Sequence, residues 1–135
     1  MVEGSAIRNR EQKAQLVDFG GLKWGPIMPT DLDAYIDFGN KFFVFIEAKY
    51  GLARMSVGQR LALERLCDAC HKPDQGVSAV AFLCSHSSKE DIDLAKATVV
   101  EYRWQGKWQK PKRQGRTLKS GIDAMKAHVE KRNAA

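Results

Sequence analysis

One stretch constrains the fold more than any other: Asp31-Leu-Asp-Ala-Tyr-Ile-Asp-Phe-Gly-Asn-Lys-Phe-Phe-Val-Phe-Ile-Glu-Ala-Lys49. Alternate side chains of a strand point to opposite faces. Leu32, Ala34, Ile36 and Phe38 therefore share one face of a first strand, and Asp31, Asp33, Tyr35 and Asp37 the other. In a second strand Phe42, Val44, Ile46 and Ala48 share a face, opposite Phe43, Phe45, Glu47 and Lys49. A two-residue loop at Gly39-Asn40 pairs Phe38 with Lys41 and sets an apolar face beside a charged one. A three-residue loop, Gly39-Asn40-Lys41, pairs Phe38 with Phe42 and makes one face apolar throughout. A one-residue slip flips every side chain, so the second register is the expected one.

That register sets Asp33 opposite Glu47 and Asp31 opposite Lys49, with directly opposed Cβ atoms about 5 Å apart. Two carboxylates so close repel when both are ionised. A Mg²⁺ ion between them removes the repulsion and suits hard oxygen donors. Lys49, on the same face, is placed to hold or help deprotonate a metal-bound water, and a metal bridging phosphate oxygens is a standard route to phosphodiester hydrolysis. The competing reading is a solvated sheet face with a cross-strand ion pair. Against it, Glu47 and Lys49 follow five apolar residues, Phe42–Ile46, at the end of a strand that reads as buried.

The flanking pattern predicts an α/β chain. A helix is expected over 5–18, then a short strand at Leu22–Trp24, strands over 31–38 and 42–50, and a helix over 56–71 capped by Ser56 and ended before Pro73. Val77–Cys84 is a continuous apolar run and reads as a buried strand. Another strand is expected over 97–104, with a turn at Gln105-Gly106 toward Lys107-Trp108 and a last helix over 117–131.

Asp33, a gap of 13 residues and then Glu47-Ala48-Lys49 resemble the signature of the PD-(D/E)xK nuclease superfamily. Holliday-junction resolvases, many restriction enzymes and small phage nucleases belong to that group. The resemblance covers about two-thirds of the chain, and the α-β-β-β-α-β order expected over residues 5–84 is similar to the family core. It implies Asp33 and Glu47 as metal ligands and Lys49 as the catalytic lysine. Two further positions fit. Glu11 falls on the stripe Ile7–Glu11–Ala14–Val17, where the family often has a glutamate completing the metal site. Gln59 opens the helix after the tripeptide, where several branches carry a glutamine. A solvated Glu11 and a Gln59 that merely bonds the helix start are the competing readings. The residue before Asp33 is Leu32 rather than proline, and Pro29 is nearer Asp31, which makes Asp31 a rival ligand.

Charge points the same way. The chain has 135 residues and a net charge of +6. Residues 1–102 hold 12 basic and 14 acidic side chains, whereas 103–135 hold 10 basic and 2 acidic. A basic segment on a near-neutral body suits a polyanion. Lys107, Lys110, Lys112, Arg113, Arg116 and Lys119 neutralise phosphates in this reading, and Trp104 and Trp108 stack on unpaired bases. The alternative packs both tryptophans on the core. No groove-reading motif is present, so sequence-specific recognition is not expected.

Cys67-Asp-Ala-Cys70-His71 matches a haem-attachment pattern, and Cys67, Cys70, Cys84 and His86 match the donor count of a zinc site. The stripe Leu63–Leu66–Cys67–Cys70 instead makes these cysteines helix-core residues. No apolar run is long enough to span a membrane and no secretory h-region opens the chain, so a cytoplasmic protein without a membrane partner is expected.

The expectation is thus one domain over residues 1–135: a mixed sheet flanked by helices, with a restriction-endonuclease-like core, a C-terminal basic hairpin and a helix. Its expected activity is Mg²⁺-dependent DNA cleavage, with Mn²⁺ able to substitute. The resemblance favours a junction-resolving phage recombination or repair nuclease, and cutting two strands favours a homodimer. The other readings are a single-strand or flap nuclease, and a non-catalytic nucleic-acid-binding module that keeps the fold.

Overall fold

A computed structural model describes Gln15 and residues 18–134. The chain divides into two units, one ending at Thr30 and one running from Asp31. In the first, Trp24 and Ile27 exchange backbone hydrogen bonds of 2.9 and 3.0 Å around Gly25, which takes φ +62°. The strand expected at Leu22–Trp24 is therefore a single bridge, too short to join a sheet. The helix expected over 5–18, and Glu11 with it, lies outside the described residues, apart from Gln15 and Asp18.

The second unit is a mixed α/β fold. Its strands are β1 (Ala34–Phe38), β2 (Phe42–Tyr50), β3 (Ser78–His86), β4 (Thr98–Trp104) and β5 (Lys107–Gln109). Helix α1 (Val57–Cys70) links β2 to β3, and α2 (Leu118–Ala134) follows β5. The sheet order is β1-β2-β3-β4-β5. Only β2 and β3 run parallel, as their helical crossover allows; the other pairs are antiparallel.

The hairpin has the expected register, with Phe38 opposite Phe42 and Ala34 opposite Ile46. Gly39 and Asn40 both take positive φ, and Phe38 accepts a bond from the Lys41 N–H, leaving Lys41 as the extra loop residue. Asn tolerates that region because its short side chain bonds locally. β1 begins three residues later than the sequence suggests. Asp33 Oδ2 accepts the Ala48 N–H at 2.7 Å, a donor that a longer strand would have used for its backbone. Leu32 consequently leaves the β1 face on which alternation set it.

Two apolar clusters cover the sheet. Phe42, Val44, Ile46, Val80 and Phe82 pack against Leu118, Ile122 and Val129 of α2. The opposite face carries Phe45, Ala79 and Ala81 against Leu63 and Cys67 of α1, with Leu32 at its edge. The buried stripe of α1 is thus Leu63–Cys67; Leu66, expected on it, is exposed. Cys67 and Cys84 lie in clusters on opposite faces, so they cannot ligate one ion together. Burial pushes both thiols up to about 12. Among the described residues no helix is long and apolar enough to cross a membrane.

Candidate active site

Glu47 and Lys49 stand near the end of β2, on the face that α1 covers. The strand is buried from Val44 to Glu47 and opens at Ala48 and Lys49. Glu47 is 7% exposed, an unusual setting for a carboxylate. Burial is the main cause that raises its pKa, and the negative charge of Asp33 adds to the effect. Lys49 opposes the shift, with Nζ 3.3 Å from Glu47 Oε1. The Asp33 backbone also lowers it by hydrogen bonding to the carboxylate. Asp33 thus meets Glu47 in two opposed ways, as a repelling charge and as a backbone partner.

Gln59 enters from the other side. Ser56 caps α1 by accepting the Gln59 N–H at 3.1 Å, and Gln59 Oε1 accepts the Ser56 N–H at 3.4 Å. This reciprocal pair is a capping box. The same Oε1 accepts from Lys49 Nζ at 3.2 Å. The helix start therefore fixes the lysine, and the lysine touches the buried glutamate.

Asp33, Glu47, Lys49 and Gln59 are brought together. Asp31 is exposed on the approach to β1, and the aspartate acting on Glu47 is Asp33. Among the described residues no three acidic, His or Cys side chains group as a metal cage. Asp33, which is exposed, and the buried Glu47 are two hard oxygen donors that could hold a divalent cation.

The basic segment is split. β5 ends at Gln109, which pairs with Tyr102, level with Phe82 and Ile46. The chain returns at Thr117, which bridges Thr98 on the level of Ser85 and Lys49. The loop 110–116 therefore leaves and rejoins the sheet edge around the height of Glu47, three strands from β2. At ordinary strand spacing that is about 14 Å. Lys107, Lys110, Lys112 and Arg113 are exposed. Arg116 is half-buried and donates to the Ser120 carbonyl at 3.2 Å, while Lys119 pairs with Asp123 at 2.7 Å.

Neither tryptophan is free to stack as the sequence suggested. Trp104 is 7% exposed, with His71 and His128 edge-on at 4.8 and 6.0 Å between centroids. Trp108 is half-buried under the Arg60 guanidinium, 4.4 Å from its ring, and donates to Glu64 Oε1 at 2.6 Å. Strand alternation explains the difference: Trp104 faces α2 and Trp108 faces α1.

The sequence reading missed Arg60. It stacks on Trp108 and pairs with Glu101 at 2.9 Å, directly after Gln59 on α1. The i, i+4 spacing of Arg60 and Glu64 was the available signal. Glu101 lies across the sheet from Glu47 through Leu83, so the site continues into a polar row beneath α1. No family model matches the chain, and no curated protein or solved structure matches it.

Proposed function

We propose that the chain is a Mg²⁺-dependent DNA endonuclease of the PD-(D/E)xK kind. The observation that carries this reading is the convergence of a buried Glu47 with Asp33, Lys49 and Gln59 at the end of β2. A structural ion pair needs neither a second carboxylate beside Glu47 nor a helix cap that also holds the lysine. Perturbed carboxylates with specific charge partners are the expected signature of a working site.

When bound, Mg²⁺ supplies Lewis acidity and neutralises charge on the phosphodiester. Asp33 and Glu47 would hold it through carboxylate oxygens. Lys49 orients the attacking water and offers positive charge where negative charge develops. Gln59 positions Lys49. The basic loop rejoins the sheet edge at the height of the carboxylates, about 14 Å across the sheet and turned to the α2 side, so a ligand touching both must be long enough to pass around that edge. DNA meets that requirement, and Lys107, Lys110, Lys112 and Arg113 are the contacts exposed for it. A junction-resolving, dimeric form in a bacterial or phage-infected cytosol extends this proposal.

A non-catalytic binding module has one observation in its favour: Asp33 and Glu47 already have protein partners in Ala48 and Lys49. Cleavage of a labelled panel of linear duplex, single strand, flap and four-way junction, with Mg²⁺ or with EDTA, separates the two. The proposal expects Mg²⁺-dependent products from at least one substrate. Binding without cleavage under every condition favours the module.

A further inference from the structure

The face of the sheet opposite the carboxylates holds a second feature. A cavity of about 430 Å³ lies between β4, the 110–116 loop and α2. Its size falls in the range of small-molecule sites. Phe82, Val99 and Trp104, all from the α2-side core, form its apolar walls. Its polar lining is Tyr102, Gln109, Lys112, Arg116 and His128, with no carboxylate among the lining residues.

These groups are mostly donors. Tyr102 donates its hydroxyl to Gln109 Oε1 at 3.2 Å, so Gln109 has its amide N–H groups left to offer. Arg116 spends one Nη on the Ser120 carbonyl, while its Nε is shielded from solvent and has no partner. The shielded Nε is a cost the fold bears, while the rest of the guanidinium lines the cavity as a positive charge that an anion complements. Lys112 is exposed and adds a second positive charge to the lining. The half-buried Tyr102 phenol in the lining suits a flat ring.

We propose that this cavity binds a planar aromatic anion of mononucleotide size, with its ring against Tyr102 and its phosphate at Arg116 and Lys112. The site is separate from the carboxylates, which lie under α1, and it does not depend on the nuclease reading. The same chemistry is offered by a free nucleotide and by an unpaired nucleotide in a strand.

Calorimetric titration of the full chain with a 5′-mononucleotide tests the proposal, with the nucleoside and ribose 5-phosphate as probes lacking charge or ring. Saturable binding of the nucleotide is expected, with both fragments at least tenfold weaker. Arg116→Gln should weaken it tenfold or more. Because that change can disturb the loop, Ala124→Trp provides a second variant. Ala124 is exposed on α2 and lines the cavity, so the added indole fills the space at little cost to folding. A folded Ala124→Trp protein should lose binding. A short oligonucleotide with an unpaired end distinguishes the sources: competition by both ligands marks a site open to either, and binding of the oligonucleotide alone, lost in Ala124→Trp, marks one that reads strands. No saturable binding of either ligand, or full affinity in folded Ala124→Trp, overturns the proposal.

Discussion

Lys49 Nζ lies between two acceptors, 3.3 Å from Glu47 Oε1 and 3.2 Å from Gln59 Oε1. The lysine is therefore positioned by a strand on one side and by a helix cap on the other. Replacement of Gln59 separates these duties. Gln59→Ala removes half of the capping box and should cost about 1 kcal/mol in urea unfolding. It also frees Lys49, and cleavage should fall by about 10- to 100-fold, as for other groups that orient a site. Gln59→Glu keeps the cap, so stability should change little, while its new charge beside Glu47 should still depress cleavage. Equal activity in all three proteins would remove Gln59 from the site.

The buried Glu47 predicts a pH dependence. In the unfolded chain it titrates near its ordinary value of 4.5, and in the folded chain its pKa is higher, mainly through burial. The folded state thus binds more protons between those values, and stability falls as pH rises through that window. Glu47→Gln removes the cost, so the metal-free variant should melt above the parent near neutral pH. Below the ordinary value the two should converge. A variant less stable than the parent at neutral pH would mean that the Lys49 contact outweighs desolvation.

The two aspartates should differ. Asp33→Ala deprives the Ala48 N–H of its acceptor and should cost about 1 kcal/mol, besides abolishing cleavage. Asp33→Asn keeps an acceptor and should restore most of the stability without the activity. Asp31→Ala, at an exposed position, should do neither. Greater damage from Asp31→Ala in the cleavage assay would exchange the roles.

How much of this was legible in the sequence varies by residue. Phe38 and Phe42 disclosed the hairpin register because only one loop length keeps an apolar face continuous, and Asp33 and Glu47 came with it. Leu32 and the start of β1 did not, since the Asp33 side chain replaces a backbone acceptor that no periodicity reports. Leu22–Trp24 had strand-like residues, but among the described residues its only ladder contact is the Trp24–Ile27 bridge. Trp104 and Trp108 looked alike in a basic run; their separation to opposite faces follows from β4 and β5 pairing. Arg60 was hidden because its partners, Glu101 and Trp108, lie more than forty residues away.

The basic loop should govern binding more than chemistry. Lys107→Ala, Lys110→Ala and Arg113→Ala together remove three exposed charges and leave the cavity residues untouched. Affinity for duplex DNA should fall, and the log–log salt slope should flatten by up to about 0.9 per lost contact. Single-turnover cleavage at saturating DNA should persist. Unchanged affinity and slope would make the loop a solvated surface.

The central claim is that Asp33 and Glu47 form the metal-binding heart of a DNA-cleaving site. Single-turnover cleavage with Mg²⁺, comparing the parent with a Glu47→Ala protein shown to be folded by its circular dichroism, tests it most directly. The account predicts cleavage by the parent, none with EDTA, and none by the variant at any Mg²⁺ concentration. Full cleavage by the folded variant would contradict it.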